Sequence, residues 1–247
     1  MARGGAMPHG SGKEGMIMCG VAGMLTAGEV SPHTIGAMAD ALAHRGPDDR
    51  GVWVDQEAGI GLGHRRLSII DLSPLGHQPM VSVSGRYVLA FNGEIYNHRE
   101  LRKELESGGN APEWRGHSDT ETLLAAVEAW GMSDTLERAT GMFAIALWDR
   151  EDRALTLVRD RFGEKPLYYG WVGGAFVFAS EIGAMRSLPT FGNPVDRRAL
   201  SALLTQTYIP APLSIYQSVF KLTPGTVLTL NRKGVSRVRN TPFEEGD

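Results

Sequence analysis

The second half of the chain most narrows the fold. Short apolar runs at 142–148, 154–158, 167–169 and 176–179 follow one another, separated by turn signals such as Asp149-Arg150-Glu151-Asp152 and Gly173-Gly174. Strands in consecutive runs, without the helix-alternating rhythm of a βαβ unit, point to antiparallel sheets packed with helices and not to a doubly wound parallel sheet. Helices are expected at 182–187 and 197–204. Beyond them come Ile209-Pro210-Ala211-Pro212 and a last hairpin, 227–230 with 235–238, around Asn231-Arg232-Lys233-Gly234.

The first half mixes strand and helix. Met18-Cys19-Gly20-Val21-Ala22-Gly23 reads as a buried strand, and Ser31-Pro32 opens an amphipathic helix carrying Ile35, Met38, Ala39 and Leu42 and ending near residue 43. His44-Arg45-Gly46-Pro47-Asp48-Asp49 is a charged turn, and 51–54 a strand. Gly59, Gly61 and Gly63 lack the spacing and strand-to-helix context of a dinucleotide fingerprint and read as strand punctuation. The strand 87–91 runs into Asn92-Gly93, which reads as a turn with positive φ. Asn97 is a candidate cap for a helix over 98–107, and Ser118-Asp119-Thr120-Glu121 is a capping box before a helix bearing Leu123, Leu124, Val127 and Trp130.

Composition excludes several classes of function. The 247 residues are 42% hydrophobic and 21% charged, enough for one large or two small cores. A net charge of -3 supplies no basic field for nucleic acid, and no apolar run approaches the ~18 residues that span a bilayer. One cysteine allows no internal disulfide, in agreement with a reducing, cytoplasmic setting. His44, His64 and His77 lack metal-ligand spacing, and no metal site is expected. Residues 1–18 are Gly-rich with no secretory or import pattern and read as a disordered leader: an early-assigned start, an added extension or a propeptide.

That single cysteine follows Met18. A thiol nucleophile needs a base, and a cysteine that becomes residue one carries its own, an α-amine with an ordinary pKa of about 7.7–8.0. An attached leader would turn that amine into a non-basic amide. Buried, inert packing is the competing reading of Cys19 taken alone.

The motifs then accumulate in order. They are Met-Cys-Gly at 18–20, His-Arg-Gly-Pro-Asp at 44–48, Arg-Leu-Ser-Ile at 66–69, Asn-Gly-Glu-Ile-Tyr-Asn at 92–97, Ser-Asp-x-Glu at 118–121, Gly-Met-Phe-Ala at 141–144, Arg-Asp-Arg-Phe-Gly-x-Lys-Pro-Leu-Tyr-Tyr at 159–169 and Ser-Glu-Ile at 180–182. Together they resemble the glutaminase half of glutamine-hydrolysing asparagine synthetases, over 18–230. The resemblance implies an α+β fold of the N-terminal-nucleophile hydrolase type, a four-layer αββα sandwich of two antiparallel sheets. It divides the chain into a leader (1–18), a class II glutamine amidotransferase domain (19–230) and a tail (231–247) leading to a synthetase domain. The stretches 208–212 and 221–226 resemble the segment before that ATP-dependent domain, and set the chain apart from sugar-phosphate and purine-pathway relatives.

By that resemblance Cys19 attacks the side-chain amide of L-glutamine while its α-amine shuttles the proton, and Asn92 with the Gly93 N–H holds the oxyanion. Arg66 would fork onto the substrate α-carboxylate, the backbone of Leu67, Ser68, Ile69 and Ile70 would line the pocket, and Glu94 and Asp119 would receive the α-ammonium. Bland readings stand beside these: a tight turn for Asn92-Gly93, a solvated charge for Arg66 as for its neighbour Arg65, and helix-dipole electrostatics for Asp119. Arg45 would organise its loop.

No Ser-Gly-Gly-x-Asp-Ser loop and no Walker loop occurs in the sequence. The domain is therefore expected to need no cofactor, with ATP and Mg acting only in a synthetase domain beyond this chain that would be its partner. Homodimerisation is left open. Two alternatives also stay open: another ammonia acceptor, for instance in cell-surface sugar modification, or a catalytically silent packing or regulatory domain if the leader is retained.

Overall fold

The computed structural model describes residues 18–67, 74–231 and 241–242. Among the described residues two six-stranded antiparallel sheets face each other. The first runs β10 (Val219–Lys221), β8 (Tyr168–Val172), β9 (Ala175–Ala179), β1 (Gly20–Leu25), β3 (Ile60–Arg66), β2 (Asp49–Asp55). The second runs β12 (Thr241–Pro242), β11 (Thr226–Asn231), β7 (Ala154–Arg159), β6 (Gly141–Asp149), β5 (Tyr87–Ile95), β4 (Met80–Val81). The helices are α1 (Pro32–Asp40), α2 (His98–Ser107), α3 (Asp119–Arg138), α4 (Ile182–Arg186) and α5 (Arg197–Gln206).

Side-chain alternation builds the layers. On β1, Val21 and Leu25 enter the core between the sheets, while Ala22 and Met24 face the opposite way. On β5, Val88 and Ala90 join that inner core, and Leu89 and Phe91 pack outward against Leu123, Leu124 and Val127 of α3. The outer face of the first sheet is covered by Ile35 and Met38 of α1 and Met185 of α4. Each fully buried aliphatic side chain stabilises the packing by about 1.5–3 kcal/mol. The result is the expected helix–sheet–sheet–helix sandwich.

Strand punctuation understates what Gly61 and Gly63 do. They lie inside β3 on the face that meets α1, and a Cβ at position 61 would stand 2.4 Å from Ile35 Cγ1. Absent side chains let the helix seat directly on the strand.

Local expectations need several corrections. Asn92-Gly93 is not a turn: both residues continue β5, Asn92 opposite Ala144 and Gly93 opposite Phe143, because β6 offers a nine-residue partner through Ile95. Gly93 is required for a different reason: a Cβ there would lie 2.2 Å from the Met142 carbonyl oxygen. Asn97 takes the N-cap position of α2, but its side chain does not cap the helix. It bridges instead to the end of α3 and the connection before β6, accepting from Thr140 N at 2.8 Å and donating to the Arg138 carbonyl at 2.8 Å. Arg65 is not a solvated charge, since its side chain is 16% exposed and 3.7 Å from Asp40. The helix α1 ends at Asp40 and continues only as turns. Ser118 does cap α3, accepting from Glu121 N at 3.2 Å. The second arm of the last hairpin, 235–238, lies outside the described residues, as does the leader before Met18.

Candidate active site

A pocket opens where the start of β1 and the end of β3 in one sheet meet the distal half of β5 in the other. Met18, Cys19, Arg66, Leu67, Gly76, Gln78, Phe91, Asn92, Gly93, Glu94, Ser118, Asp119, Thr120 and Lys165 form its wall. All the expected site residues that are described converge here; Ser68, Ile69 and Ile70 lie outside the described residues.

Cys19 immediately precedes β1. Its Sγ accepts from Leu67 N at 3.3 Å and lies 3.6 Å from the Leu67 carbonyl oxygen. Burial pushes the thiol up from its ordinary value, against the lowering effects of the Leu67 N–H, Arg66 and Lys165. Arg45 fixes the Cys19 main chain: Nε donates to the Cys19 carbonyl at 3.1 Å, and Nη1 pairs with Glu181 at 2.6 Å. Arg45 thus ties the turn after α1 to the main chain of Cys19 and to Glu181.

The open edge of β5 supplies backbone donors. The pairing of β4 with β5 stops at Leu89, so the next N–H groups on that edge meet side chains: Phe91 N donates to Gln78 Oε1 at 2.7 Å, and Ile95 N to Asp119 Oδ2 at 3.0 Å. Between them, Phe143 turns both its N–H and its C=O toward Asp160 and away from β5. Gly93 thus forms a non-hydrogen-bonded pair with Phe143, and its N–H points out of the same open edge. Next to it, Asn92 is 1% exposed and faces the space between the sheets. Its Nδ2 has no hydrogen-bond partner among the described residues. A buried amide N–H group left in this state costs about 1–3 kcal/mol unless a ligand or water accepts from it.

Arg66 ends β3, is 8% exposed, and lays its guanidinium against Gly76, where a Cβ would be 2.1 Å from Nη2. At the first turn of α3, Asp119 accepts from Ile95 N and Thr120 N, yet burial raises its carboxyl above the usual range. A cation entering the pocket would offset that burial. His64, the residue two before Arg66, is fully buried with Nε2 3.0 Å from the Phe91 carbonyl, and burial lowers its pKa to about 4, which keeps it neutral. His44 pairs with Glu181 and His77 with Asp49.

Gln78 and Lys165 line the pocket although the motifs assigned them no role in it. Gln78 carries no local signal; its amide ties β5 to α3 by donating to Thr120 Oγ1 at 3.3 Å. Lys165 belongs to the conspicuous 159–169 motif, but nothing in a linear sequence says that its loop folds back onto Cys19.

The antiparallel αββα sandwich, with a cysteine at the head of a central strand and an unfilled amide donor on the wall of the same pocket, has the N-terminal-nucleophile hydrolase fold. The fold is shared with glutamine phosphoribosylpyrophosphate amidotransferase from Bacillus subtilis, which superposes with a TM-score of 0.67 at 22% identity, over 92% of this chain and 50% of that one. A family profile described as a glutamine amidotransferase domain matches residues 18–243, and the chain belongs to that family. It is 34% identical to asparagine synthetase [glutamine-hydrolyzing] 3 of Bacillus subtilis over 89% of its own length and 36% of the relative's. For asparagine synthetase [glutamine-hydrolyzing] 1 of the same organism the identity is 36%, over 88% and 34%. The chain thus spans about a third of the length of these relatives and is an enzyme domain of the class II glutamine amidotransferase type. Among the described residues no helix is long and apolar enough to cross a membrane.

Proposed function

We propose that the domain hydrolyses L-glutamine to glutamate and ammonia through a thioester on Cys19, once the residues before Cys19 have been removed. The observation that carries this reading is one pocket holding a thiol, an unfilled amide donor, a buried guanidinium and two carboxylates. The amine of Cys19 accepts the thiol proton as sulfur bonds to the substrate's side-chain carbonyl carbon. Asn92 Nδ2 and Gly93 N–H donate to the oxyanion that forms. Transfer of the proton to the leaving nitrogen breaks the C–N bond and frees ammonia. Water, deprotonated by the same amine, then cleaves the thioester to give glutamate and restores the thiol.

Arg66 takes the substrate α-carboxylate as a fork, with the backbone of 67–70 beside it, and Asp119 with Glu94 takes the α-ammonium. The raised pKa of Asp119 supports this assignment, because an ammonium partner favours the ionised form that burial disfavours.

The relatives' names favour asparagine formation as the use of the ammonia. In that reading residues 19–230 are the amidotransferase domain, 231–247 lead toward an ATP-dependent synthetase domain, and ATP and Mg²⁺ act there, with none required for glutamine hydrolysis. A reducing cytoplasm suits the free thiol. Cys19→Ala tests the chemistry: ammonia release from glutamine is expected to fall to background while the circular dichroism spectrum is unchanged. Undiminished release would remove Cys19 from the mechanism.

A further inference from the structure

Lys165 is 7% exposed and lines the pocket, yet its Nζ is met by a thioether: it donates to Met18 Sδ at 3.1 Å. Among the described residues no carboxylate lies within ion-pair distance of it. A buried ammonium with no carboxylate in ion-pair contact is costly, so its placement calls for a reason beyond packing.

The loop that delivers it is held from two sides. The Asp160 carboxylate accepts from Phe162 N at 3.1 Å, Glu164 N at 2.9 Å and Lys165 N at 3.0 Å. From the other side the Arg159 guanidinium donates to the Lys165, Gly163 and Leu222 carbonyls at 2.9, 2.6 and 2.6 Å. This backbone has little freedom to withdraw the side chain.

Removal of Met18 deletes the sulfur that Lys165 Nζ contacts and creates an amine a few covalent bonds from where that sulfur lay. We infer that the Lys165 ammonium acts through Cys19, keeping the new α-amine in its free-base form and favouring the thiolate. The inference rests on the reading of Cys19 as the mature N-terminus.

The charge balance fits the first step. The proton leaves sulfur and arrives on nitrogen, giving thiolate and ammonium. A fixed positive charge favours the thiolate and disfavours the ammonium, so the transfer itself stays near balance while more of the amine is free to accept at neutral pH. The other charged groups facing Lys165 are Glu94 from β5, Arg45 from the turn after α1, and Glu164 of its own loop. Those facing Cys19 besides Lys165 are Arg66 from β3 and Asp119 from α3. Burial lowers the Lys165 pKa and Glu94 opposes it.

The test is the pH dependence of kcat/KM for glutamine hydrolysis in mature enzyme whose start at Cys19 is verified by intact mass. Lys165→Met is expected to move the acidic limb up by about 0.5–1 pH unit, and Lys165→Arg is expected to retain the wild-type limb. An unshifted Lys165→Met profile, or a Lys165→Arg profile shifted equally, overturns the inference. If Lys165→Met does not fold, Lys165→Gln takes its place. On wild-type enzyme, a ¹⁵N-labelled Cys19 amine is expected to titrate below the ordinary range of about 7.7–8.0, and a value within or above that range also overturns it. Glutamine hydrolysis by a chain still carrying Met18 would instead defeat the underlying reading of the nucleophile.

Discussion

Asn92 is the residue whose environment is hardest to explain by packing. Its amide is buried at the edge of the inter-sheet core with Nδ2 unfilled among the described residues, where a hydrophobic side chain would avoid the desolvation penalty. Asn92→Ala is therefore expected to lower kcat by about 10²–10³-fold, with KM for glutamine changed far less. A fall in affinity with kcat intact would assign the amide to ground-state binding instead. At this scale the sequence singled out Asn92 and Gly93, and the resemblance supplied their expected roles, but the backbone geometry that presents them was not legible. The pairing of Asn with Gly at 92–93 was visible, but the turn inferred from it was wrong. Gly93 is fixed by the close approach of Met142, and its N–H is released by register, a property of β6 as much as of β5.

Among the elements, the 159–165 loop shows how a short stretch is made rigid without regular structure. Asp160 is 1% exposed and gathers backbone N–H groups from its own loop and from Phe143, so one carboxylate links the loop to β6 and orients Lys165. Asp160→Asn would place an amide N–H among converging donors, and is expected to cost roughly 2–4 kcal/mol of stability in urea denaturation, with a parallel loss of glutaminase activity. A change below about 0.5 kcal/mol would mean that the loop is held by Arg159 alone. Strands and helices with strong local signals, such as β6 and the Ser118-capped α3, were legible from pattern. The two-residue β4 and three-residue β10 were not, because pairing with β5 and β8 defines them and their own composition does not.

For the whole molecule, the sandwich brings together residues far apart in the chain. Cys19, Arg66, Asn92, Asp119 and Lys165 meet because the head of β1 abuts the distal half of β5 across the two sheets while α3 and the loop after β7 close the sides. The antiparallel, helix-covered architecture followed from the succession of strands. The convergence did not, since periodicity carries no information on which sheet faces which. In the proposed mechanism the site depends on a single nitrogen, the amine that exists only if the chain begins at Cys19. Intact-mass spectrometry of the glutamine-hydrolysing fraction tests this most directly: a mature chain whose first residue is Cys19 is the expected result, and full activity in a chain that retains Met18 would contradict the account.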